Sequence, residues 1–205
     1  EIMYDDRPLF EEIVETLADV VIAVLEHVLS AGIRPEAASM WEDMAYSGGP
    51  LMAPKLFQQI LVPHYKRITG TLHKYGVDIV FLDCDGSIDM LAPLWLEAGV
   101  NTMFPIEVGK WKADPVEFRR RYGKDMRLMG GFDKHILMHG KDAIAREIAR
   151  LAPLVEEGGY IPMPDHRVPP DVRLEDYIFY LNEAKRVWGN GLDNIKPTGQ
   201  PVRPA

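Results

Sequence analysis

The stretch YGVDIVFLDCDG, residues 75–86, contains the pattern that decides the fold. Gly76 ends a helical segment, and the run from Val77 to Leu82 that follows is apolar except for Asp78. A short continuous apolar run of this kind is typical of a parallel strand that is buried on both faces. The run leads directly into the letters DCDG, so the predicted strand brings two carboxylates to its carboxyl end.

The same order of helix, glycine and apolar strand recurs at Gly32 and Gly99. Such alternation predicts parallel strands joined by helical crossovers. The predicted strands cover residues 37–41, 77–82, 100–105, 127–130 and 159–163. The predicted helices cover residues 9–28, 54–74, 87–98, 115–122, 142–157 and 174–188. Pro63 lies inside the second of these helices, and we expect it to kink or split that helix.

Two architectures share this alternation, an open doubly wound sheet and a (β/α)8 barrel. A complete barrel needs about 250 residues and eight strands. Five β/α units in 205 residues therefore correspond to half of a barrel or more. The sequence contains neither GxGxxG nor GxxxxGK[ST], so no nucleotide-binding loop favours the doubly wound sheet.

The composition excludes several classes of function. A net charge of −8 argues against a surface for nucleic acid or anionic membrane, because both require clustered lysine and arginine. Cys84 is the single cysteine and cannot form an internal disulfide, which is typical of a reducing cytoplasm. No apolar run reaches the ~18 residues of a membrane span. We therefore expect a cytoplasmic protein that binds neither nucleic acid nor membrane.

The most informative pattern is the chemistry that follows the strands. Functional groups of parallel α/β folds lie at the carboxyl ends of the strands. At least one carboxylate follows every predicted strand: Glu42 and Asp43, Asp83 and Asp85, Glu107, Asp133, and Asp165. Like charges converging on one closed face repel each other unless a metal, a proton or a positive ligand compensates them.

Each of these residues also has a simpler interpretation. Asp85 can act as the N-cap of the next helix, and Asp133 can form a local ion pair with Lys134. His166 can be a solvated loop histidine. Cys84 is expected to be a small buried hydrophobe, because the sequence places no histidine or lysine beside it to lower its pKa.

Five segments together carry a resemblance to a known family: MWEDMAYSGGPLMAPKLFQQILVPHYKRI, VFLDCDG, EAGVNTMFPIEV, RLMGGFDK and YIPMPDHRVPPDV. In this order they resemble the uroporphyrinogen decarboxylase family, whose fold is a (β/α)8 TIM barrel. The resemblance implies a partial barrel domain over residues 1–188 that covers about five of the eight β/α units. Residues 189–205, rich in glycine, asparagine and proline, are expected to form an irregular tail.

The resemblance implies two chemistries. The decarboxylases remove carboxyl groups from a tetrapyrrole without metal or cofactor, and related methyltransferases use zinc to pass a methyl group to or from a cobalt corrinoid. His166 resembles the decarboxylase histidine, and Asp85 resembles the aspartate that closes the equivalent strand. Where the zinc methyltransferases have His-x-Cys-Gly, this chain has Asp83 and Asp85 at the two ligand positions. A thiolate-rich zinc site is therefore not expected, whereas oxygen and nitrogen ligands suit zinc or a harder divalent ion.

These comparisons yield a set of candidate site residues. The catalytic candidates are His166, Asp85 and Asp43. The substrate-binding candidates are Trp41, Tyr46, Glu107, Lys134 and Arg167. The metal-binding candidates are Asp83, Asp85, Glu107 and His166.

The charge balance favours one chemistry over the other. Uroporphyrinogen carries many carboxylates and needs positive charge around it, yet mainly Lys110, Lys134 and Arg167 oppose the acidic strand ends. We therefore expect a methyltransferase that acts on a small methylated substrate, with the corrinoid on a partner protein and zinc or another divalent metal at the site. The alternatives are a cofactor-free uroporphyrinogen decarboxylase and a non-catalytic half barrel that binds a corrinoid or tetrapyrrole. Exposed sheet edges also predict a homodimer.

Overall fold

The computed structural model describes residues 2–109 and 113–189. Lys110 and the tail from residue 190 onward lie outside the described residues. The described strands are β1 (Ala37–Trp41), β2 (Ala45–Tyr46), β3 (Gly49–Pro50), β4 (Ile79–Asp83), β5 (Thr102–Ile106), β6 (Arg127–Phe132) and β7 (Tyr160–Pro164). The described α-helices are α1 (Ile2–Asp5), α2 (Arg7–Ser30), α3 (Pro54–Lys74), α4 (Ala92–Glu97), α5 (Pro115–Tyr122), α6 (Lys141–Glu157) and α7 (Leu174–Trp188). Lys134–Met138 forms a 3-10 helix.

Five of the strands form one parallel sheet in the order β1-β4-β5-β6-β7. This spatial order follows the order along the chain without a reversal. A doubly wound sheet reverses at its switch point, whereas strands of a barrel follow one another around the axis. The sheet therefore has the topology of a barrel segment with five β/α units, which confirms the predicted fold class. β1 and β7 are the edge strands of this sheet, so the described part of the barrel is not closed.

Most predicted elements are confirmed with small shifts of their bounds. The helix over 54–74 is continuous through Pro63, so of the two expected effects, a kink or a split, the split does not occur. Buried side chains on both sides of the proline, including Phe57 and Leu72, hold the two halves in the same core. The helix predicted over 87–98 is shorter and begins at Ala92, one residue before Pro93, because proline fits the first turn of a helix.

The short hairpin formed by β2 and β3 was not predicted. Its strands have two residues each, too few for the alternation of polar and apolar residues to be visible. Tyr46 pairs with Gly49 and Ala45 with Pro50. The hairpin follows β1 directly and lies at the carboxyl end of the sheet, where the backbone N–H of Ser87 donates to the carbonyl of Tyr46 at 3.1 Å.

Strand β4, which lies between β1 and β5 in the sheet, is buried on one face only. Val80 and Leu82 are buried in the main core, whereas Ile79, Phe81 and Asp83 are half-buried. The prediction of burial on both faces was therefore wrong. Asp83 lies on the less buried face, at the carboxyl end of β4, and lines a cavity there. No helix within 2–109 and 113–189 has both the length and the apolar character needed to cross a bilayer.

Candidate functional site

Three side chains from three different loops converge at the carboxyl end of the sheet. Asp85, Glu107 and His166 each contribute one oxygen or nitrogen atom to a group whose members all lie within 4.8 Å of one another. Nε2 of His166 is 3.7 Å from Oδ2 of Asp85. Asp85 and His166 are exposed, whereas Glu107 is buried. We call these three residues the acidic triad.

A glycine turn fixes the buried member of the acidic triad. Gly86 has φ +91° and its N–H donates to Oε2 of Glu107 at 2.7 Å. A Cβ atom on Gly86 would lie 2.8 Å from the Cα of Tyr46, so the hairpin backbone and the strand end approach closely only because residue 86 is glycine. Asp85 and Gly86 therefore both serve the site: the side chain of Asp85 lies beside His166, and the backbone N–H of Gly86 holds Glu107.

Beneath the acidic triad, Asp165 ties three loops together. It is fully buried, and its carboxylate accepts the N–H of Val108 at 2.9 Å and the N–H of Lys134 at 3.0 Å. The Nζ of Lys134 lies 3.3 Å from Asp165 and 3.9 Å from Oε1 of Glu107. Lys134 thus compensates two buried carboxylates, and the backbone next to Glu107 and His166 is held by one aspartate.

Two cavities border His166. The larger has a volume of about 410 Å³, and its lining residues include Trp41, Asp83, Asp85, His166 and Arg167. The smaller has a volume of about 240 Å³, and its polar side chains are Glu107, Lys134, His135, Asp165 and His166. The larger cavity lies at the carboxyl ends of the strands, and His166 lines both cavities.

The strand ends disfavour further negative charge. Burial raises the pKa of Asp83, and the neighbouring charges of Asp85 and Asp43 raise it further. The pKa of Glu42 is raised as well, mainly by burial. Burial also raises the pKa of the Cys84 thiol to about 11. Cys84 is buried, which confirms the expectation of a small core residue.

The structure separates the predicted site residues into groups. Asp85, Glu107 and His166 form the acidic triad, and Lys134 lies beside it. Trp41, Asp83 and Arg167 line the larger cavity. Among the described residues, the group of possible metal ligands includes three of the four predicted members and leaves out Asp83. Asp43 and Tyr46 are exposed, and neither lines one of these two cavities.

The sequence interpretation missed His135. Its Nδ1 lies 2.9 Å from Oδ1 of Asp133, so Asp133 pairs with the histidine and not with Lys134 as the simpler interpretation held. Lys134 turns instead toward Asp165. The available signal was the spacing of Asp133 and His135 after the fourth predicted strand, where an aspartate can cap the following turn and orient the residue two positions on.

Comparison with known proteins identifies the family of the chain. The family model described as uroporphyrinogen decarboxylase (URO-D) matches residues 1–187. The chain belongs to the URO-D family. This confirms the resemblance carried by the five segments, and the TIM-barrel fold of the family accounts for the order of the five parallel strands.

Curated relatives bear the name uroporphyrinogen decarboxylase. One from Nocardia farcinica is 26% identical over 82% of this chain and 46% of the relative, and one from Pseudomonas fluorescens is 25% identical over 84% and 47%. One from Coxiella burnetii is 23% identical over 98% of this chain and 53% of the relative. The chain therefore spans about half the length of the curated relatives it matches.

Proposed function

We propose that this chain carries the acid–base part of a URO-D family carboxy-lyase whose substrate is a carboxylated tetrapyrrole. The observation that carries the proposal is the acidic triad, with His166 paired to Asp85 at 3.7 Å beside a cavity of about 410 Å³. The name shared by the curated relatives supports decarboxylation over the methyl transfer that the charge balance favoured. The acidic strand ends must therefore be explained within a decarboxylation.

The chemistry of the reaction explains them. When an acetate side chain on a pyrrole loses CO2, the electrons of the breaking C–C bond must move into the ring, and protonation of the ring prepares it to accept them. The protonated ring is a cation whose N–H groups are donors, so carboxylates such as Asp85 and Asp83 stabilise it. The methylene carbon then takes a proton, and the step is redox-neutral.

Two residues of the larger cavity supply the remaining roles. His166 borders this cavity and its imidazole can donate a proton within the site. Arg167 lines the same cavity and can bind a substrate carboxylate with two parallel hydrogen bonds. The acidic triad then faces the tetrapyrrole ring, and Arg167 faces the carboxylate side chains of the substrate. This removes the conflict between an acidic site and a polycarboxylate.

The test is turnover by the full polypeptide that contains these residues. Uroporphyrinogen is incubated anaerobically with the protein, and the products are separated by chromatography. We expect products with fewer carboxyl groups, and a loss of rate of about 100-fold or more for His166→Gln and for Asp85→Asn. His139→Gln is the matched control, because His139 is exposed and lines neither cavity. Unchanged substrate with folded protein would end this proposal.

A second candidate rests on the same acidic triad. Two carboxylates and one imidazole within 4.8 Å of one another suit zinc or a harder divalent ion, whereas buried Cys84 is not part of the group. Asp85, Glu107 and His166 would hold the ion, which would activate a methyl donor or acceptor in a methyltransferase that works with a corrinoid on a partner protein.

Metal content distinguishes the two candidates. Protein purified without a metal-affinity tag is offered zinc, dialysed and measured for metal per chain, beside the Asp85→Asn, His166→Gln double variant. Near-stoichiometric metal that is lost in the double variant, together with methyl transfer to reduced corrinoid, supports the second candidate. No retained metal in either protein removes it.

A further inference from the structure

The smaller cavity beside the acidic triad contains a second histidine with a fixed orientation. Oδ1 of Asp133 lies 2.9 Å from the backbone nitrogen of His135 and 2.9 Å from its Nδ1. A carboxylate only accepts, so Nδ1 carries a proton and donates it to Asp133. One oxygen thus caps the 3-10 helix and orients the imidazole. The orientation leaves Nε2 as the nitrogen that can exchange a proton with a ligand.

The imidazole is open to the cavity while its partner is shielded. The side chain of His135 is 43% exposed and that of Asp133 is 23% exposed. A Cβ atom on Gly109 would lie 3.6 Å from Cε1 and from Nδ1 of the ring, so residue 109 borders the histidine without covering it. His135 and His166 line this same cavity of about 240 Å³ together with Glu107.

The charged groups around the cavity are paired with one another, which leaves Asp133 as the partner of His135. The charged and titratable groups that line it are Glu107, Lys134, Asp165 and His166. Lys134, the nearest of them along the chain, is 3.3 Å from Asp165 and 3.9 Å from Glu107, so its charge is compensated by those carboxylates. Asp133 is the carboxylate in contact with the His135 imidazole.

We infer that His135, held by Asp133, is a second acid–base residue of this site and exchanges a proton with a ligand through Nε2. The inference rests on the proposed function and adds a residue to it. Decarboxylation of a pyrrole acetate needs two proton transfers at different atoms. One proton goes to the ring before CO2 leaves and later returns to a base, and another goes to the methylene carbon once the C–C bond is broken. Two histidines bordering one cavity can serve these two atoms separately.

The experiment uses the full polypeptide and three variants, His135→Ala, Asp133→Asn and the control His139→Ala. His135→Ala keeps the backbone N–H that Asp133 accepts, so the 3-10 helix keeps its cap. We expect kcat for uroporphyrinogen decarboxylation to fall about 100-fold in His135→Ala with KM within about threefold, and about tenfold in Asp133→Asn. Imidazole added to the solution restores part of the activity of His135→Ala, which loss of a purely structural residue would not allow. His139→Ala retains the parent activity.

A second measurement separates failure of this inference from failure of the proposed function. Ring signals of His135 and His139 are followed by NMR while uroporphyrin I is added to the parent protein. If the parent decarboxylates uroporphyrinogen and His135→Ala retains kcat within about threefold, His135 has no acid–base role although the proposed function stands. If the parent is inactive but the His135 signals shift saturably and those of His139 do not, the site stands with another substrate. If the parent protein shows no turnover and the His135 signals do not shift, both the proposed function and this inference are overturned.

Discussion

The Nζ of Lys134 lies 3.3 Å from Oδ1 of Asp165, and the same oxygen accepts the backbone N–H of Lys134 at 3.0 Å. Asp165 is fully buried and accepts a third hydrogen bond from Val108. A buried carboxylate is tolerated only when it is paired and hydrogen-bonded, and here all three donors come from the loops that carry Glu107 and His135. The positions of the site residues therefore depend on one ion pair beneath them.

Substitution of Asp165 by asparagine is expected to destabilise the protein by about 3 kcal/mol, because it removes the nearer of the two carboxylates beside Lys134 and turns an amide donor toward backbone N–H groups. The measurement is urea denaturation of the full polypeptide at neutral pH. Asp171→Asn serves as the control, since Asp171 is exposed, and it should change the free energy of unfolding by less than about 0.5 kcal/mol. Equal stability of both variants would contradict the role assigned to Asp165.

Gly86→Ala is expected to cost at least about 2 kcal/mol of stability. The residue has φ +91°, and a Cβ atom would lie 2.8 Å from the backbone of Tyr46, so the hairpin must move. Thermal unfolding checks this, with Gly70→Ala as the control. Gly70 is in helix α3 with nothing within 4 Å of its Cβ position, so alanine there should stabilise the protein by roughly 0.5–1 kcal/mol. Tolerance of alanine at position 86 would show that the close approach is dispensable.

Asp83→Asn is expected to stabilise the protein at neutral pH by roughly half a kcal/mol, a figure reduced for solvent screening. Burial and the charges of Asp85 and Asp43 raise the pKa of Asp83, so the folded state holds its proton more tightly than the unfolded state does. Asp83 therefore costs no stability below the unfolded pKa, near 3.9, and its cost grows as the pH rises through the folded pKa. Denaturation should give the variant and the parent the same free energy of unfolding at pH 3.5, and the variant the higher value at pH 7. A loss of stability at pH 7 would mean that the ionised form is stabilised.

The Cys84 thiol is expected to react slowly with iodoacetamide in the folded protein. With a pKa of about 11 instead of 9.0, the thiolate fraction at pH 8 is ~100-fold smaller, and burial slows the reaction further. Mass spectrometry of samples quenched over time, in buffer and in denaturing urea, gives the two rates. Rates within tenfold of each other would show that the end of strand β4 opens readily.

Much of this arrangement could be predicted from sequence. The bounds of β1, α3, α5 and α7 agree with the prediction, because glycine stops, proline starts and apolar periodicity are local signals. Pro63 does not split α3, because the core holds both halves of this helix together, and a local sequence rule cannot register that core. His135 was missed for a related reason, because only the packing of the loops decides which side chains border one cavity.

The sequence by itself determined that carboxylates follow the strands, and parallel strands bring those residues to one edge of the sheet whatever the loops do. Only the tertiary structure decided which of them share a site. Asp165 meets the N–H of Val108 across 57 positions of the chain, and Glu107 meets the N–H of Gly86 across 21. Contacts over such separations depend on the register of neighbouring strands and on loop packing, so one aspartate becomes a buried support while another, Asp85, remains exposed beside His166. Sequence spacing determines that a side chain lies at the carboxyl ends of the strands, and long-range packing determines which residue it contacts.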